Sequence, residues 1–283
     1  MVVTTTSHVQ PGVNTVGTLG LIAGDGNLPP ILAQSAREKG YKVVALALSE
    51  EARTRVAPHA DVHHLIAPGQ LGRNLKLLQE HKCTNAVFIG KVPKLNLLRS
   101  LHKLDWMGIK EVSKLPNFND DTISTHIGNV IEEHGIKVLT QIEFLRHLFP
   151  DYGVLTNRQP TAAEYADIKY GLGIAREIAR LDIGQTVIVH NRMVVAVEAI
   201  EGTDEAIRRS VQLARGPVTV VKVSKPNQDQ RFDVPTVGMS TLASMKGNKP
   251  GGVLAIEANE TMVVEREEMV AYANEAGISI VAV

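Results

Sequence analysis

Residues 18–40 read TLGLIAGDGNLPPILAQSAREKG, and this stretch decides the fold of the first half of the chain. The first six residues are a short apolar run, which predicts a buried strand that ends at Gly24-Asp25-Gly26. Prolines in the first turn, apolar side chains at helical spacing and a glycine stop at Gly40 predict a helix after this turn. The stretch is therefore typical of a strand–turn–helix unit.

The same alternation continues along the chain. Apolar runs at 42–48 and 86–89 predict two more strands, and the amphipathic segment 71–81 predicts a helix between them. Strands that alternate with helices indicate a parallel sheet with helices on both faces. With a last strand at 137–140, the pattern predicts a Rossmann-like N-terminal domain over residues 18–150.

The second half of the chain has a different pattern. Residues 185–198, QTVIVHNRMVVAVE, predict a hairpin, and residues 253–264 predict a second hairpin. Together with predicted helices between further apolar runs, they indicate a second α/β domain with a mixed sheet. The predicted boundaries are a flexible tail at 1–17, the first domain at 18–150, a linker at 151–161 and the C-terminal domain at 162–283.

Composition excludes several classes of function. The chain has 30 Lys and Arg against 30 Asp and Glu, so its zero net charge argues against a nucleic-acid-binding protein. A single cysteine, Cys83, excludes an intrachain disulfide and a cysteine-rich zinc site. Residues 1–36 contain no Lys or Arg, and the longest apolar run, 43–48, is far too short to span a membrane. These features predict a cytoplasmic protein.

Two glycine turns follow predicted strands of the first domain. Gly24-Asp25-Gly26 stands before a helix, where backbone amides and the helix N-terminus favour an anionic ligand. Gly90-Lys91 follows another strand, and ligands bind at the carboxyl ends of such strands. For both turns, the alternative is an ordinary strand–helix turn without a ligand. The first turn matches a dinucleotide-binding motif poorly, because the third glycine of that motif is absent.

Other charged residues of the first domain have two interpretations each. The basic stretch 91–114 would face an anionic substrate or lipid surface, or would be a solvated helix face. Asp120 and Asp121 would cap a helix, or would orient sugar hydroxyls or a cation.

Histidines between the second and third predicted strands suggest a metal site by composition alone. They are His59, His63 and His64, with Asp61 among them. In a strand, however, His63 and His64 would point to opposite faces of the sheet, which argues against metal binding.

The densest polar segments lie in the second domain. The first contains Glu198, Glu201, Thr203 and Asp204, and the second contains Lys222, Lys225, Gln228, Asp229, Arg231 and Asp233. Carboxylates bind Mg²⁺, and Lys and Arg neutralise phosphate, so the set suits phosphoryl-group chemistry. A surface loop with several salt bridges is the alternative.

Four segments carry a specific resemblance. They are LGLIAGDGNLP (19–29), DIGQTVIV (182–189), VEAIEGTDEAIRR (197–209) and KVSKPNQDQRFDVPTVG (222–238). The chain, from about residue 18 to residue 283, resembles the LpxI-type UDP-2,3-diacylglucosamine diphosphatase family of lipid A biosynthesis. This resemblance implies two α/β domains with the active site in the cleft between them, the second domain being catalytic. It implies Mg²⁺-dependent hydrolysis of the substrate to UMP and 2,3-diacylglucosamine 1-phosphate.

The resemblance also assigns roles to residues. Asp233 would be the essential carboxylate and a Mg²⁺ ligand. The substrate-binding residues it implies are Gly26, Asn27, Ile89, Gly90, Lys91, Asp120, Asp121, Gln185, Thr203, Asp204, Lys222, Lys225 and Gln228.

The sequence also gives expectations about binding partners and leaves two alternative functions open. The expected partner is a lipid-linked nucleotide sugar, with weak peripheral contact to the inner face of the cytoplasmic membrane and no nucleic acid. A homodimer is compatible with the sequence. The alternative functions are a nucleotide-sugar or lipid-phosphate binding module without turnover, and a Rossmann-type oxidoreductase.

Overall fold

A computed structural model describes residues 16–92, 104–115, 120–214, 216–226, 228–247 and 250–283. The chain forms two compact units. Unit 1 extends to Leu145 and also includes Asp229–Asp233, whereas unit 2 comprises Arg146–Gln228 and Val234–Val283. Nearly all of the predicted flexible tail, 1–17, lies outside the described residues.

The described part of unit 1 is built on a parallel five-stranded sheet in the order β3-β2-β1-β4-β5. The strands are β1 Gly17–Ala23, β2 Tyr41–Ala47, β3 Val62–Leu65, β4 Asn85–Ile89 and β5 Lys137–Val138. The helices are α1 Leu28–Glu38, α2 Glu50–Val56, α3 Leu71–Glu80, α4 Trp106–Val112, α5 Asp120–Glu133 and α6 Ile142–Leu145. This strand order has its switch point between β1 and β4, where Rossmann-like sheets bind ligands.

Side chains on both faces of β1, β2 and β4 are mostly buried. On one face, Ile22 and Leu46 pack with Leu78 of α3 and Ile131 of α5. Leu32 of α1 is also fully buried. Burial on both faces explains why these strands read as continuous apolar runs.

Unit 2 has a mixed sheet. Its described strands are β6 Gly153–Val154, β7 Thr186–His190, β8 Met193–Val197, β9 Thr219–Lys222, β10 Thr236–Val237, β11 Val253–Ile256, β12 Met262–Val263 and β13 Ser279–Ala282. The main sheet has the order β6-β13-β11-β9-β7-β8, and β10 pairs in parallel with β12. The central strands β9, β11 and β13 are parallel, whereas β6, β7 and β8 join them by antiparallel pairing.

Helices cover both faces of the main unit 2 sheet. They are α7 Ala162–Arg180, α8 Thr203–Ala214, α9 Met239–Ser244 and α10 Arg266–Ala276. Ile168 and Ala175 of α7 pack on one face, and Ile207 of α8 and Leu242 of α9 pack on the other. A Cβ on Gly171 of α7 would lie 2.7 Å from Val221 Cγ2, so glycine lets this helix approach the sheet closely.

The structure confirms the predicted fold class, a parallel-sheet N-terminal domain and a second α/β domain with a mixed sheet. It also confirms the hairpin at 185–198, which is β7 and β8. The predicted hairpin at 253–264 is wrong, because β11 pairs with β9 and β13 while β12 pairs with β10. The stretch predicted as a linker, 151–161, contains β6, which pairs with β13.

Candidate functional site

The two glycine turns of unit 1 meet at the switch point of the sheet. Gly24 N donates to Ile89 O at 2.8 Å, and Asp25 and Lys91 exchange backbone hydrogen bonds of 2.8 and 2.9 Å. The ends of β1 and β4 are therefore joined by main-chain contacts, as their adjacent positions in the sheet require.

Close backbone approach explains two of these glycines. A Cβ on Gly24 would lie 2.6 Å from Lys91 O, and a Cβ on Gly90 would lie 2.7 Å from Gly24 C. Gly26 has open space around it, but its φ of +106° is a backbone conformation that residues other than glycine rarely adopt. The turn is thus built from closely packed backbone, in which Asp25 and Gly26 are partly exposed.

Polar side chains surround this turn. Asn27 is the residue immediately before α1, and its Oδ1 accepts a hydrogen bond from Arg55 Nη1 at 2.6 Å. Ser49 Oγ donates to Asp25 Oδ1 and also caps α2 at Ala52 N. The N-terminus of α1 carries no acidic residue in its first turn, so its partial positive charge is not neutralised there.

The other residues predicted in unit 1 have different environments. Ile89 is buried as the last residue of β4, whereas Lys91 is exposed. Asp120 and Asp121 begin α5, and their side chains lie outside the described part of the chain. The basic stretch predicted at 91–114 is also described only in part.

Asp233 ends the short segment of unit 1 that comes from the second half of the chain. Its backbone N donates to Asp229 O at 3.1 Å, and Phe232 N donates to the same oxygen at 2.9 Å. Arg231 binds the Asp229 carboxylate through Nε and Nη2, and this hydrogen bonding holds the pKa of Asp229 below its usual range despite partial burial.

The polar residues of unit 2 gather at the edge where β9 and β11 end. Lys222 Nζ donates to Thr203 Oγ1 at 2.9 Å, and Thr203 Oγ1 donates to Glu198 Oε1 at 2.8 Å. The antiparallel pairing of β7 with β9 places Thr186 opposite Lys222, so Gln185 lies at the same edge.

Two buried oxygens at this edge lack a hydrogen-bond partner within the described ranges. They are Gln185 Oε1 and Ser224 Oγ. Buried polar atoms are nearly always paired in proteins, so these two oxygens are suited to accept hydrogen bonds at this edge.

The remaining predicted residues of unit 2 are Lys225, Gln228 and Asp204, which are close in sequence to Lys222 or Thr203. Lys225 Nζ forms an ion pair of 2.7 Å with Asp182, and Lys225 N donates to Gln228 Oε1 at 2.9 Å. Asp204 lies in the first turn of α8, one residue after Thr203. The predicted residues therefore form one set in each unit.

Sequence reasoning missed several polar neighbours of these sets. Ser49 and Arg55 contact the unit 1 turn, and Glu257 accepts hydrogen bonds from Ser224 N and from Arg176. Two of them could have been found from their place in the sequence. Ser49 and Glu257 each follow shortly after a buried strand, where binding residues are common.

No group of three or more His, Cys, Asp or Glu side chains is arranged to hold a metal ion in the ranges that the structure describes. His64, one of the histidines with a metal-like composition, instead lies with its Nε2 2.9 Å from His81 Nε2. Burial, and then the neighbouring His81, lower the pKa of His64.

Comparison with protein families gives matches to both halves of the chain. Residues 18–148 match the LpxI N-terminal domain, and residues 151–281 match the LpxI C-terminal domain. The chain belongs to the LpxI family. It is 32% identical over 278 residues to UDP-2,3-diacylglucosamine pyrophosphatase LpxI of Caulobacter vibrioides, which covers 94% of this chain and 97% of that relative.

Solved structures similar to this LpxI family member include two bacterial synthetases. N5-carboxyaminoimidazole synthetase from Staphylococcus aureus complexed with ADP has 18% identity and a TM-score of 0.25, over 62% of this chain and 39% of its own. N5-carboxyaminoimidazole ribonucleotide synthetase from Thermotoga maritima has 14% identity and a TM-score of 0.24, over 68% and 43%. The matches thus span less than half of each synthetase.

A helix that crosses a bilayer must be long and predominantly apolar. In the part of the chain that is described, no helix has both the length and the apolar character needed.

Proposed function

We propose that this protein hydrolyses the diphosphate of UDP-2,3-diacylglucosamine in lipid A synthesis, giving UMP and 2,3-diacylglucosamine 1-phosphate. The observation that carries the proposal is identity of 32% over nearly the full length of the Caulobacter vibrioides pyrophosphatase. The two sets of polar residues supply chemistry that suits this substrate.

Unit 1 would bind an anionic or polar part of the substrate through its backbone amide groups. The Gly24–Gly26 turn lies at the N-terminus of α1, where helix amides and the helix dipole favour negative charge. Lys91 is exposed beside this turn and joined to Asp25 by backbone hydrogen bonds.

Unit 2 would offset diphosphate charge with lysines. Lys222 is only 8% exposed and is held by Thr203, so its ammonium has a defined position. Gln185 Oε1 and Ser224 Oγ, both buried without a described partner, would gain hydrogen bonds from a ligand or its water. A preorganised cation of this kind stabilises the charge that develops on phosphoryl oxygens.

Asp233 would bind Mg²⁺ or orient the attacking water. Mg²⁺ in phosphoryl-transfer enzymes is commonly held by one or two carboxylates together with substrate phosphates, so a preformed set of three carboxylates is not required. The ion would neutralise charge on the phosphoryl oxygens. Pro235 restricts Val234 to extended backbone, which limits the directions that Asp233 can take.

A substrate with two acyl chains brings the protein to a membrane surface. We propose that it acts at the cytoplasmic face of the inner membrane through weak contact. Because the net charge of the chain is zero, this contact should be weak. Because the stretch 91–114 is basic, added salt should weaken the contact further.

The test is release of UMP by Asp233→Ala. The variant should fold, keep most of its affinity for UDP-2,3-diacylglucosamine and lose at least about 10²-fold in turnover. Asp151→Ala removes an exposed carboxylate of unit 2 and should keep turnover. A folded Asp233→Ala with normal turnover would refute the role of Asp233, and wild-type binding without UMP release would indicate a binding module.

A further inference from the structure

The segment Asp229–Asp233 is anchored to unit 1 by an aromatic contact. The Phe232 ring meets Phe88 in an edge-to-face arrangement, with centroids 5.0 Å apart and planes at 70°. Phe88 lies in β4, which ends at Ile89 and continues into the Gly90-Lys91 turn. The segment is therefore packed against the strand that leads into the Gly90-Lys91 turn.

Gly128 makes room for the same ring. A Cβ at position 128 would lie 2.3 Å from Phe232 Cζ and 3.0 Å from Cε1, so any larger residue would displace the ring. Gly128 is buried in α5, where glycine disfavours the helix relative to alanine. The ring thus occupies a gap bounded by β4 and α5.

Arg231 adds a polar anchor beside the aromatic one. Its Nη1 lies 3.0 Å from Glu132 Oε2 of α5, while Nε and Nη2 bind the Asp229 carboxylate. The guanidinium carbon also lies 5.0 Å from the Phe232 ring centroid. The helix therefore holds the segment through an ion pair as well as through the ring.

We infer that Phe232, supported by Gly128 and by the Arg231–Glu132 ion pair, is a positioning residue that sets the location of the Asp233 carboxylate. This inference rests on the proposed function of Asp233. Phe232 and Asp233 are consecutive, and both amides donate to Asp229 O, so displacement of the ring moves the backbone that carries Asp233. A displacement of about 1 Å at a reacting group can cost about 10²-fold in rate.

The experiment compares Phe232→Ala with Phe144→Ala, using UDP-2,3-diacylglucosamine as substrate. Phe144 is a buried phenylalanine elsewhere in unit 1 that makes a similar edge contact with Tyr41, so its loss controls for loss of aromatic packing. Phe232→Ala should lower kcat at least about tenfold with KM changed by less than about threefold, and Phe232→Leu should restore part of kcat. Phe144→Ala should lower Tm and leave kcat unchanged.

A second variant keeps the test decisive if Phe232→Ala fails to fold. Gly128→Ala should lower kcat because its Cβ displaces the ring. The double variant Gly128→Ala, Phe232→Leu should then exceed Gly128→Ala in kcat, since a smaller side chain relieves the clash.

The outcomes separate the two proposals. If Asp233→Ala keeps its turnover, the role of Asp233 fails whatever Phe232 does. If Asp233→Ala is inactive while Phe232→Ala and Gly128→Ala keep wild-type kcat, the positioning role of Phe232 alone is overturned. A fall in kcat for Phe144→Ala equal to that for Phe232→Ala would also overturn it.

Discussion

Lys222 Nζ donates a hydrogen bond of 2.9 Å to Thr203 Oγ1, although only 8% of Lys222 is exposed. The bond joins the last residue of β9 to the first residue of α8. A buried ammonium group needs such hydrogen bonds to offset the loss of its hydration. In the proposed function, the charge of Lys222 offsets that of the diphosphate.

Replacement of this lysine tests that use. Lys222→Met should keep the apolar stem and remove the charge, and kcat/KM for diphosphate hydrolysis should fall by about 10²-fold or more. The measurement is UMP release at several substrate concentrations. Lys169→Met, on the exposed surface of α7, is the matched control and should retain wild-type kcat/KM. Equal activity of the two variants would contradict a catalytic use of Lys222.

The backbone contact between the two glycine turns predicts a stability effect. Gly90 has φ +98°, and a Cβ there would lie 2.7 Å from Gly24 C. Gly90→Ala should therefore lower the free energy of unfolding by about 1–3 kcal/mol. Gly173→Ala, at an exposed and uncrowded site in α7, should raise it by about 0.5–1 kcal/mol. Urea unfolding midpoints measure both, and an unchanged midpoint for Gly90→Ala would show that the turn rearranges freely.

His64 predicts loss of stability in mild acid. Burial is the main cause that lowers the pKa of His64, followed by repulsion from His81, His63 and Arg73, while Glu80 acts in the opposite direction. Because the folded pKa lies below the unfolded value of 6.5, the unfolded chain binds more protons as pH falls. The contribution of His64 is therefore fully present above about pH 6.5 and is lost as pH falls through its folded pKa.

Thermal unfolding between pH 7.5 and pH 5 tests this sign. The wild type should lose Tm over this range, and His64→Gln should lose less because the titrating group is gone. An identical pH dependence of Tm in both proteins would assign the acid sensitivity to other groups.

Hydrolysis by this protein should depend on a divalent metal ion. Hydrolysis should stop in excess chelator and return on addition of Mg²⁺, since a divalent cation offsets the charge of the phosphoryl oxygens. Tm in the same buffers controls for unfolding by chelator. Full activity in excess chelator would remove Mg²⁺ from the proposed chemistry.

Local sequence patterns predicted much of the fold correctly. The strand–turn–helix over 18–40 became β1, the glycine turn and α1, and the hairpin around Asn191 and Arg192 became β7 and β8. Both depend on contacts between residues close in sequence, where periodicity and turn residues act directly.

The incorrect hairpin prediction shows that local patterns do not determine which strands pair. Residues 253–256 and 262–263 are both apolar and nearby, yet β11 pairs with β9 and β13. A strand buried on both faces has no alternation to reveal its direction or partner, so its pairing depends on distant segments.

The candidate site divides in the same way. Motifs in the sequence predict Gly26, Asn27, Lys222 and Asp233 as site residues, and this prediction is untested. The contacts of Asn27 with Arg55 and of Lys222 with Thr203 came from the structure. The role of Asp233 and the need for Mg²⁺ stay predictions.

The sequence by itself determined the strand–helix alternation, the two glycine turns and membership of the LpxI family, because these depend on local spacing and long contiguous motifs. Only the tertiary structure decided that Asp229–Asp233 packs with unit 1 and that Phe232 occupies the gap over Gly128. Phe232 and Gly128 are far apart in sequence, and no local propensity encodes which distant surfaces meet. Partial burial of the ring against β4 and α5 contributes free energy that brings them together.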